Sequence, residues 1–170
     1  MNLKNVNFPR QLEAAGLAEK IRLALAERQT KLWPEGKMEV PVLSISESLI
    51  ATIRNARLQR RIRFGFDDIL DKLAAEKKGI DEMLQKNKSQ QNNRVSRLLL
   101  FSNDGAERLY RHIEQALVEH RLRILGCQLD IDGKELGRLI AGRSAGIKVI
   151  LVEHKDAVSD VLRALAEGRQ

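Results

Sequence analysis

Three short apolar runs decide the fold, and they read Val95-Ser96-Arg97-Leu98-Leu99-Leu100-Phe101, Leu122-Arg123-Ile124-Leu125-Gly126-Cys127-Gln128-Leu129 and Ile147-Lys148-Val149-Ile150-Leu151-Val152. Each run has the length of one strand, and segments with the periodicity of an α-helix separate and follow them. Strands that alternate with helices are typical of βαβ units, in which right-handed crossovers join parallel strands. We therefore predict that residues 95–170 form a small βαβαβα domain with a parallel sheet.

The chain before these runs has a different pattern, because helical spacing of apolar residues dominates it. Residues 11–31 and 47–63 both have this spacing, and a further helix is predicted after Asp67 or Asp68. The segment near 38–45 is β-branched and roughly alternating, but proline is confined to edge strands and bulges, so Pro41 predicts an edge strand or an extended linker. We expect residues 1–85 to be mostly helical, with one short edge strand near 38–45.

A polar segment separates these two parts. It contains no apolar side chain from residue 86 to residue 93, and reads Lys86-Asn87-Lys88-Ser89-Gln90-Gln91-Asn92-Asn93. A segment of this composition has nothing to bury and is typical of an exposed linker. We therefore predict a polar linker over residues 86–94 between an N-terminal part, 1–85, and an α/β domain, 95–170.

The composition excludes several classes of protein. The chain has 170 residues, of which 43% are hydrophobic, so it is long enough and apolar enough for a packed core. The longest uncharged run, residues 40–46, is too short to cross a bilayer, and the first residues show no apolar segment of a signal peptide. One cysteine, Cys127, excludes an internal disulfide and a multi-cysteine metal site. We expect a cytoplasmic protein with no membrane partner.

The positive charge is concentrated in the middle of the chain. The net charge is +7, and residues 51–100 hold twelve basic side chains against six acidic ones. Within residues 51–64 there is no acidic residue, and there are five arginines: Arg54, Arg57, Arg60, Arg61 and Arg63. An uneven excess of positive charge favours an anionic partner, of which nucleic acid is the commonest.

The spacing of these arginines indicates how they would bind. If residues 47–63 are one helix, Arg54, Arg57 and Arg61 lie on one face, at positions i, i+3 and i+7. Aromatic residues make up only 4% of the chain, so contacts to the phosphate backbone are favoured over base stacking. We predict a non-enzymatic protein that binds nucleic acid, RNA or a ribonucleoprotein, without a cofactor. The alternatives for the arginines are a solvated helix face, ion pairs with nearby aspartates, or a subunit interface. An alternative function for the whole chain is a homodimeric interaction module whose interface is formed by the long helices.

Polar residues also follow the predicted strands, where ligands bind to open parallel sheets. They are Asp104 after the first strand, Asp130 and Asp132 after the second, and Lys155 after the third. Such residues also serve as ordinary turn and helix-capping residues. Alternate residues leaving a strand point the same way, so Asp130 and Asp132 form a candidate site for a hard cation such as Mg²⁺.

The segment Asp130-Ile131-Asp132-Gly133 resembles the Asp-x-Asp turn of the Toprim domain of topoisomerases and primases. In that family the turn holds the catalytic Mg²⁺, so the resemblance implies a second alternative function, that of a Mg²⁺-dependent enzyme or regulator of phosphate chemistry. The glutamate that the family carries after its first strand is absent from residues 102–105. Cys127 lies inside a predicted strand, and we expect it to be a buried structural residue rather than a nucleophile.

Overall fold

The computed structural model describes residues 2–87 and 93–168 and shows a mixed α/β fold, as the sequence predicts. A short 3-10 turn at Leu3–Asn5 comes first. The described helices and strands then follow in the order α1 (Arg10–Ala14), α2 (Ala18–Ala26), β1 (Gln29–Lys31), β2 (Glu39–Leu43), α3 (Glu47–Leu58), β3 (Ile62–Phe64), α4 (Phe66–Asn87), β4 (Arg97–Phe101), α5 (Glu107–Glu119), β5 (Ile124–Leu129), α6 (Gly133–Ala141), β6 (Val149–Val152) and α7 (Lys155–Glu167).

The six strands form one mixed sheet in the order β1-β2-β5-β4-β6-β3. The β2–β5 and β5–β4 pairs are parallel, whereas the β1–β2, β4–β6 and β6–β3 pairs are antiparallel. The parallel pairing of β4 with β5 is as predicted, but the prediction that β6 continues a parallel sheet is wrong. We call the edge where β4 and β5 end the carboxyl edge, and the edge where they begin the amino edge. β6 begins at the carboxyl edge, where the Ser102 amide donates to the Lys148 carbonyl over 2.9 Å.

Close packing behind α6 explains the direction of β6. The helix ends at Gly142, which has a left-handed backbone with φ +61°, and the chain then returns alongside the helix. We call residues 143–147, which follow Gly142, the returning segment. The Ile147 amide donates to the Gly133 carbonyl over 2.8 Å, so this segment reaches the start of α6. A β-carbon at Gly137 would lie 2.5 Å from the Ala145 carbonyl oxygen. Glycine therefore lets the segment lie against α6 and delivers the chain back to the carboxyl edge.

The strand around Pro41 is interior, contrary to the prediction of an edge strand. β2 pairs with β1 on one side and with β5 on the other. Its pairing with β5 begins only at Val42, whose own amide donates to the Arg28 carbonyl of the β1 side over 2.9 Å. The amide hydrogen that Pro41 lacks is therefore not needed by either neighbour.

Both predicted parts of the chain contribute to this sheet. β1 and the first two residues of β3 lie within segments predicted to be helical. β2 pairs with β5, and β3 pairs with β6, across the predicted boundary. Residue 87 ends α4, and residues 88–92 of the predicted linker lie outside the described residues. The division of the chain into 1–85 and 95–170 stays a prediction.

Helices cover both faces of the sheet, which gives three layers. Leu98 and Leu100 of β4 face the core formed with α1, α2, α3, α6 and α7, whereas Leu99 and Phe101 face the core formed with α4 and α5. This alternation follows from the two-residue repeat of a strand, and it explains why β4 reads as a continuous apolar run. Among the helices of residues 2–87 and 93–168, none has the length and apolarity that crossing a membrane requires.

Candidate nucleic-acid interface

The five arginines of residues 51–64 lie in three different structural settings. Arg54 and Arg57 belong to α3, Arg60 and Arg61 lie in the connection after it, and Arg63 belongs to β3. The helix ends at Leu58, so the predicted helical stripe of Arg54, Arg57 and Arg61 does not form as one helix face. The helix ends early because the chain from Ile62 onward pairs with β6 and must become extended.

The end of α3 is a Schellman motif, the closing turn in which amides after a helix bond its last free carbonyls. The Arg60 amide donates to the Arg57 carbonyl over 2.9 Å, and the Arg61 amide donates to the Ala56 carbonyl over 2.8 Å. Arg60 has φ +59°, and it is the only non-glycine residue with a positive φ in the described part of the chain. A side chain costs about 1–2 kcal/mol in this conformation, which glycine adopts freely.

Two of the five arginines have partners within the protein. Arg63 Nε donates to Glu153 Oε2 over 2.8 Å, and this hydrogen bond raises the pKa of Arg63 above its ordinary value. Arg54 Nε donates to the Leu139 carbonyl at the end of α6. Among the described residues Arg54 has no carboxylate partner, but this hydrogen bond fixes the direction of its side chain. The charge of Arg63 is neutralised by Glu153.

The other three arginines have no carboxylate partner within residues 2–87 and 93–168. Among the described residues, no ion pair or side-chain hydrogen bond involves the guanidinium group of Arg57, Arg60 or Arg61. Arg57 and Arg60 are exposed and Arg61 is half-buried. Within one turn at the end of α3, the protein thus presents three guanidinium groups to solvent or a ligand. We call these three residues the arginine turn.

The arginine turn is held at the amino edge of the sheet. The Glu153 amide, directly after β6, donates to the Arg61 carbonyl over 2.9 Å. The sequence predicted Lys155 at the same edge as Asp104, Asp130 and Asp132. Because β6 runs antiparallel to β4, Lys155 lies instead at the amino edge. Lys155 is exposed, so a fourth basic residue lies at the same edge as the arginine turn. Only the direction of β6 could have revealed this position.

Two further basic residues at the amino edge pair with the same glutamate. Glu76 of α4 accepts from Arg97 Nη2 over 2.8 Å and from Arg123 Nη2 over 2.7 Å, and all three side chains are mostly buried. Burial acts to raise the pKa of Glu76, but the two arginines outweigh burial and lower it. This cluster joins α4 to the starts of β4 and β5, and we assign it a structural role.

At the carboxyl edge, the acidic residues have partners within the protein. Asp104 accepts from the Gly133 amide over 2.9 Å and pairs with Lys148 Nζ at 2.8 Å. Partial burial acts to raise the pKa of Asp104, but the hydrogen bonds from Lys148 and Gly133 outweigh it and lower the pKa. Asp104 therefore caps α6, and the cation beside it is Lys148 rather than the predicted Lys155.

The two predicted metal ligands are also engaged. Asp130 Oδ2 accepts from Arg28 Nη1 over 2.9 Å, and this bond lowers the pKa of Asp130. Asp132 Oδ1 accepts from the Glu135 amide over 2.8 Å and so caps α6. In residues 2–87 and 93–168, no group of three or more His, Cys, Asp or Glu side chains is arranged to hold a metal ion. Magnesium binding at Asp130 and Asp132 stays a prediction.

Cys127 is buried inside β5, as the sequence predicts. Burial raises the pKa of its thiol to about 12, so the thiolate is scarce at neutral pH. This environment is that of a small core residue and not of a nucleophile.

Comparisons with known proteins assign no family. No protein-family model and no curated protein matches the chain. Among solved structures, it is similar to a protein with unknown function from Bacillus halodurans C. The TM-score is 0.44 and the identity 15%, and the match covers 72% of this chain and 99% of that chain.

Proposed function

We propose that the protein binds nucleic acid, RNA or a ribonucleoprotein in particular, through contacts between the arginine turn and the phosphate backbone. The observation that carries this proposal is a group of three guanidinium groups within one turn, those of Arg57, Arg60 and Arg61, which have no carboxylate partner in the part of the chain that the structure describes. Guanidinium groups donate two parallel hydrogen bonds to a phosphate, and their charge replaces the counterions that the phosphate holds.

The backbone conformation of Arg60 supports the same proposal. Glycine at this position would fold without the cost of a side chain in the left-handed region. A cost of this kind is typical of residues kept for function rather than for stability. An arginine there extends from the end of the helix, where it also complements the negative end of the helix dipole.

Backbone contact is favoured over base stacking, because the two nearby aromatic rings are partly buried and one of them also lies under an arginine. Phe64 and Phe66 are both partly buried against the two cores, and the Arg143 guanidinium lies over the Phe64 ring at 5.3 Å from its centroid. Base stacking requires an open ring face. Binding through the arginine turn should therefore depend weakly on base sequence and strongly on salt.

The test measures the salt dependence of binding to a fluorescently labelled RNA by anisotropy. The variant combines Arg57→Ala, Arg60→Gly and Arg61→Ala, since glycine at position 60 suits the positive φ. Loss of three phosphate contacts should flatten the slope of log affinity against log salt by about 2–3, at 0.7–0.9 for each contact.

The matched control combines Lys20→Ala, Lys78→Ala and Arg108→Ala, which removes the same charge from exposed positions in α2, α4 and α5. It should leave the slope close to that of the wild type. Circular dichroism and melting temperature establish that both variants are folded. The proposal is wrong if the wild type does not bind RNA or DNA at low salt, or if both variants bind equally well.

A further inference from the structure

A groove between α3 and α7 is a surface that nucleic-acid binding does not use. The two helices are in contact. They run antiparallel, because the end of α3 lies beside the start of α7: the Arg61 carbonyl accepts a hydrogen bond from the amide of Glu153, two residues before α7 begins. The groove has a volume of about 660 Å³. Small residues such as Ala51 and Ala164 line it, and Leu58 lies at one end with 77% of its surface exposed.

The charges along this groove are of both signs. Arg54 and Arg163 contribute positive charge, and Asp160 and Glu167 contribute negative charge. Among the described residues, no ion pair or hydrogen bond involves the side chain of Asp160, Arg163 or Glu167. Asp160 and Arg163 are three residues apart on α7, yet they do not pair with each other.

The presence of both positive and negative charge limits which kind of partner the groove can bind. A nucleic acid would be repelled by Asp160 and Glu167, and a segment of uniformly positive charge would be repelled by Arg54 and Arg163. A second copy of the same surface, related by a two-fold axis, presents both signs in the reverse order. In such an interface residue i contacts residue j of the other copy, and j contacts i.

We propose that the groove between α3 and α7 is the interface of a homodimer. The two α7 helices lie antiparallel across the axis, so that Asp160 of each copy pairs with Arg163 of the other. Leu58, exposed in the single chain, becomes covered beside these pairs. This proposal does not depend on nucleic-acid binding, since it uses a different surface and is tested without nucleic acid.

The test measures mass in solution by light scattering after gel filtration, over a series of protein concentrations. The wild type should reach twice the chain mass of 19.3 kDa at the higher concentrations. Asp160→Arg alone and Arg163→Asp alone each place like charges opposite each other, so both should return the mass to that of one chain. The double variant, with both changes in the same chain, re-forms both pairs with reversed signs and should restore the dimer.

A matched control reverses a charge outside the groove. Glu107→Arg changes an exposed residue of α5 and should leave the dimer unchanged. A wild type of single-chain mass at every concentration overturns the proposal, as does a dimer that survives either single reversal. A folded double variant that stays a single chain overturns the pairing. If circular dichroism shows the double variant unfolded, Leu58→Glu decides, because this exposed site tolerates the change and a persisting dimer refutes the interface.

Discussion

Two glycine-to-alanine changes test whether the segment that leads into β6 packs against α6. At Gly79 in α4, the β-carbon that alanine adds would have within 4 Å no described atom beyond its adjacent residues and the neighbouring backbone of its own helix. At Gly137 in α6, it would lie 2.5 Å from the Ala145 carbonyl oxygen. Alanine stabilises a helix by about 1 kcal/mol relative to glycine, and this gain applies at both sites. At Gly137 the opposing atom belongs to the backbone, so the returning segment must move by about 0.9 Å to reach an ordinary contact of 3.4 Å.

Overpacking of this kind costs about 1–3 kcal/mol, and we expect the upper half of that range because backbone cannot rotate away. Gly79→Ala should therefore raise the free energy of unfolding by about 0.5–1 kcal/mol, and Gly137→Ala should lower it by about 1–2 kcal/mol. Urea unfolding, followed by circular dichroism and by the fluorescence of the single tryptophan, Trp33, measures both variants. If Gly137→Ala is as stable as Gly79→Ala, the returning segment does not lie against α6.

Two further predictions concern charged groups at the amino edge. Glu76→Gln leaves Arg97 and Arg123 mostly buried without a counter-charge, and we expect a loss of about 3 kcal/mol in urea unfolding at neutral pH. Since the pKa of Glu76 is lowered, the wild type should lose this stability as the pH falls through that pKa. If the free energy of unfolding depends on pH in the same way in both proteins, the structural role of Glu76 is contradicted. Burial lowers the pKa of His120, and Lys77 and Arg123 lower it further against the opposing effect of Glu119. As the pH falls below about 6.5, the histidine therefore binds a proton in the unfolded chain before it does so in the folded one. The melting temperature of the wild type should fall over this pH range, and His120→Asn should make this decrease smaller.

The strongest patterns in the sequence correspond to structural elements. The runs that contain β4, β5 and β6 are strands, and the periodic segments that separate and follow these runs contain the helices α5, α6 and α7. These patterns are local, because burial on both faces makes a strand uniformly apolar and burial on one face gives a helix its repeat. The class of fold and the concentration of arginine in residues 51–64 could therefore be read from the chain.

The short strands could not be predicted from local apolar patterns. β1 and β3 have three residues each and are at most half-buried, so their partners rather than their side chains make them strands. β3 ends the helix that the apolar spacing of residues 47–63 predicts, and so Arg61 lies outside that helix. The single stripe predicted from the spacing becomes a turn of three arginines for this reason.

The sequence by itself determined which segments can be buried and where the positive charge is concentrated, since both depend on residue type and local spacing. Only the tertiary structure decided strand direction, and with it which charged residues meet. The return of the chain past Gly137 places Lys148 beside Asp104 and moves Lys155 to the edge of the arginine turn. Contacts made by residues distant in sequence determine this arrangement, because a strand has the same apolar pattern whether its neighbours run parallel or antiparallel to it.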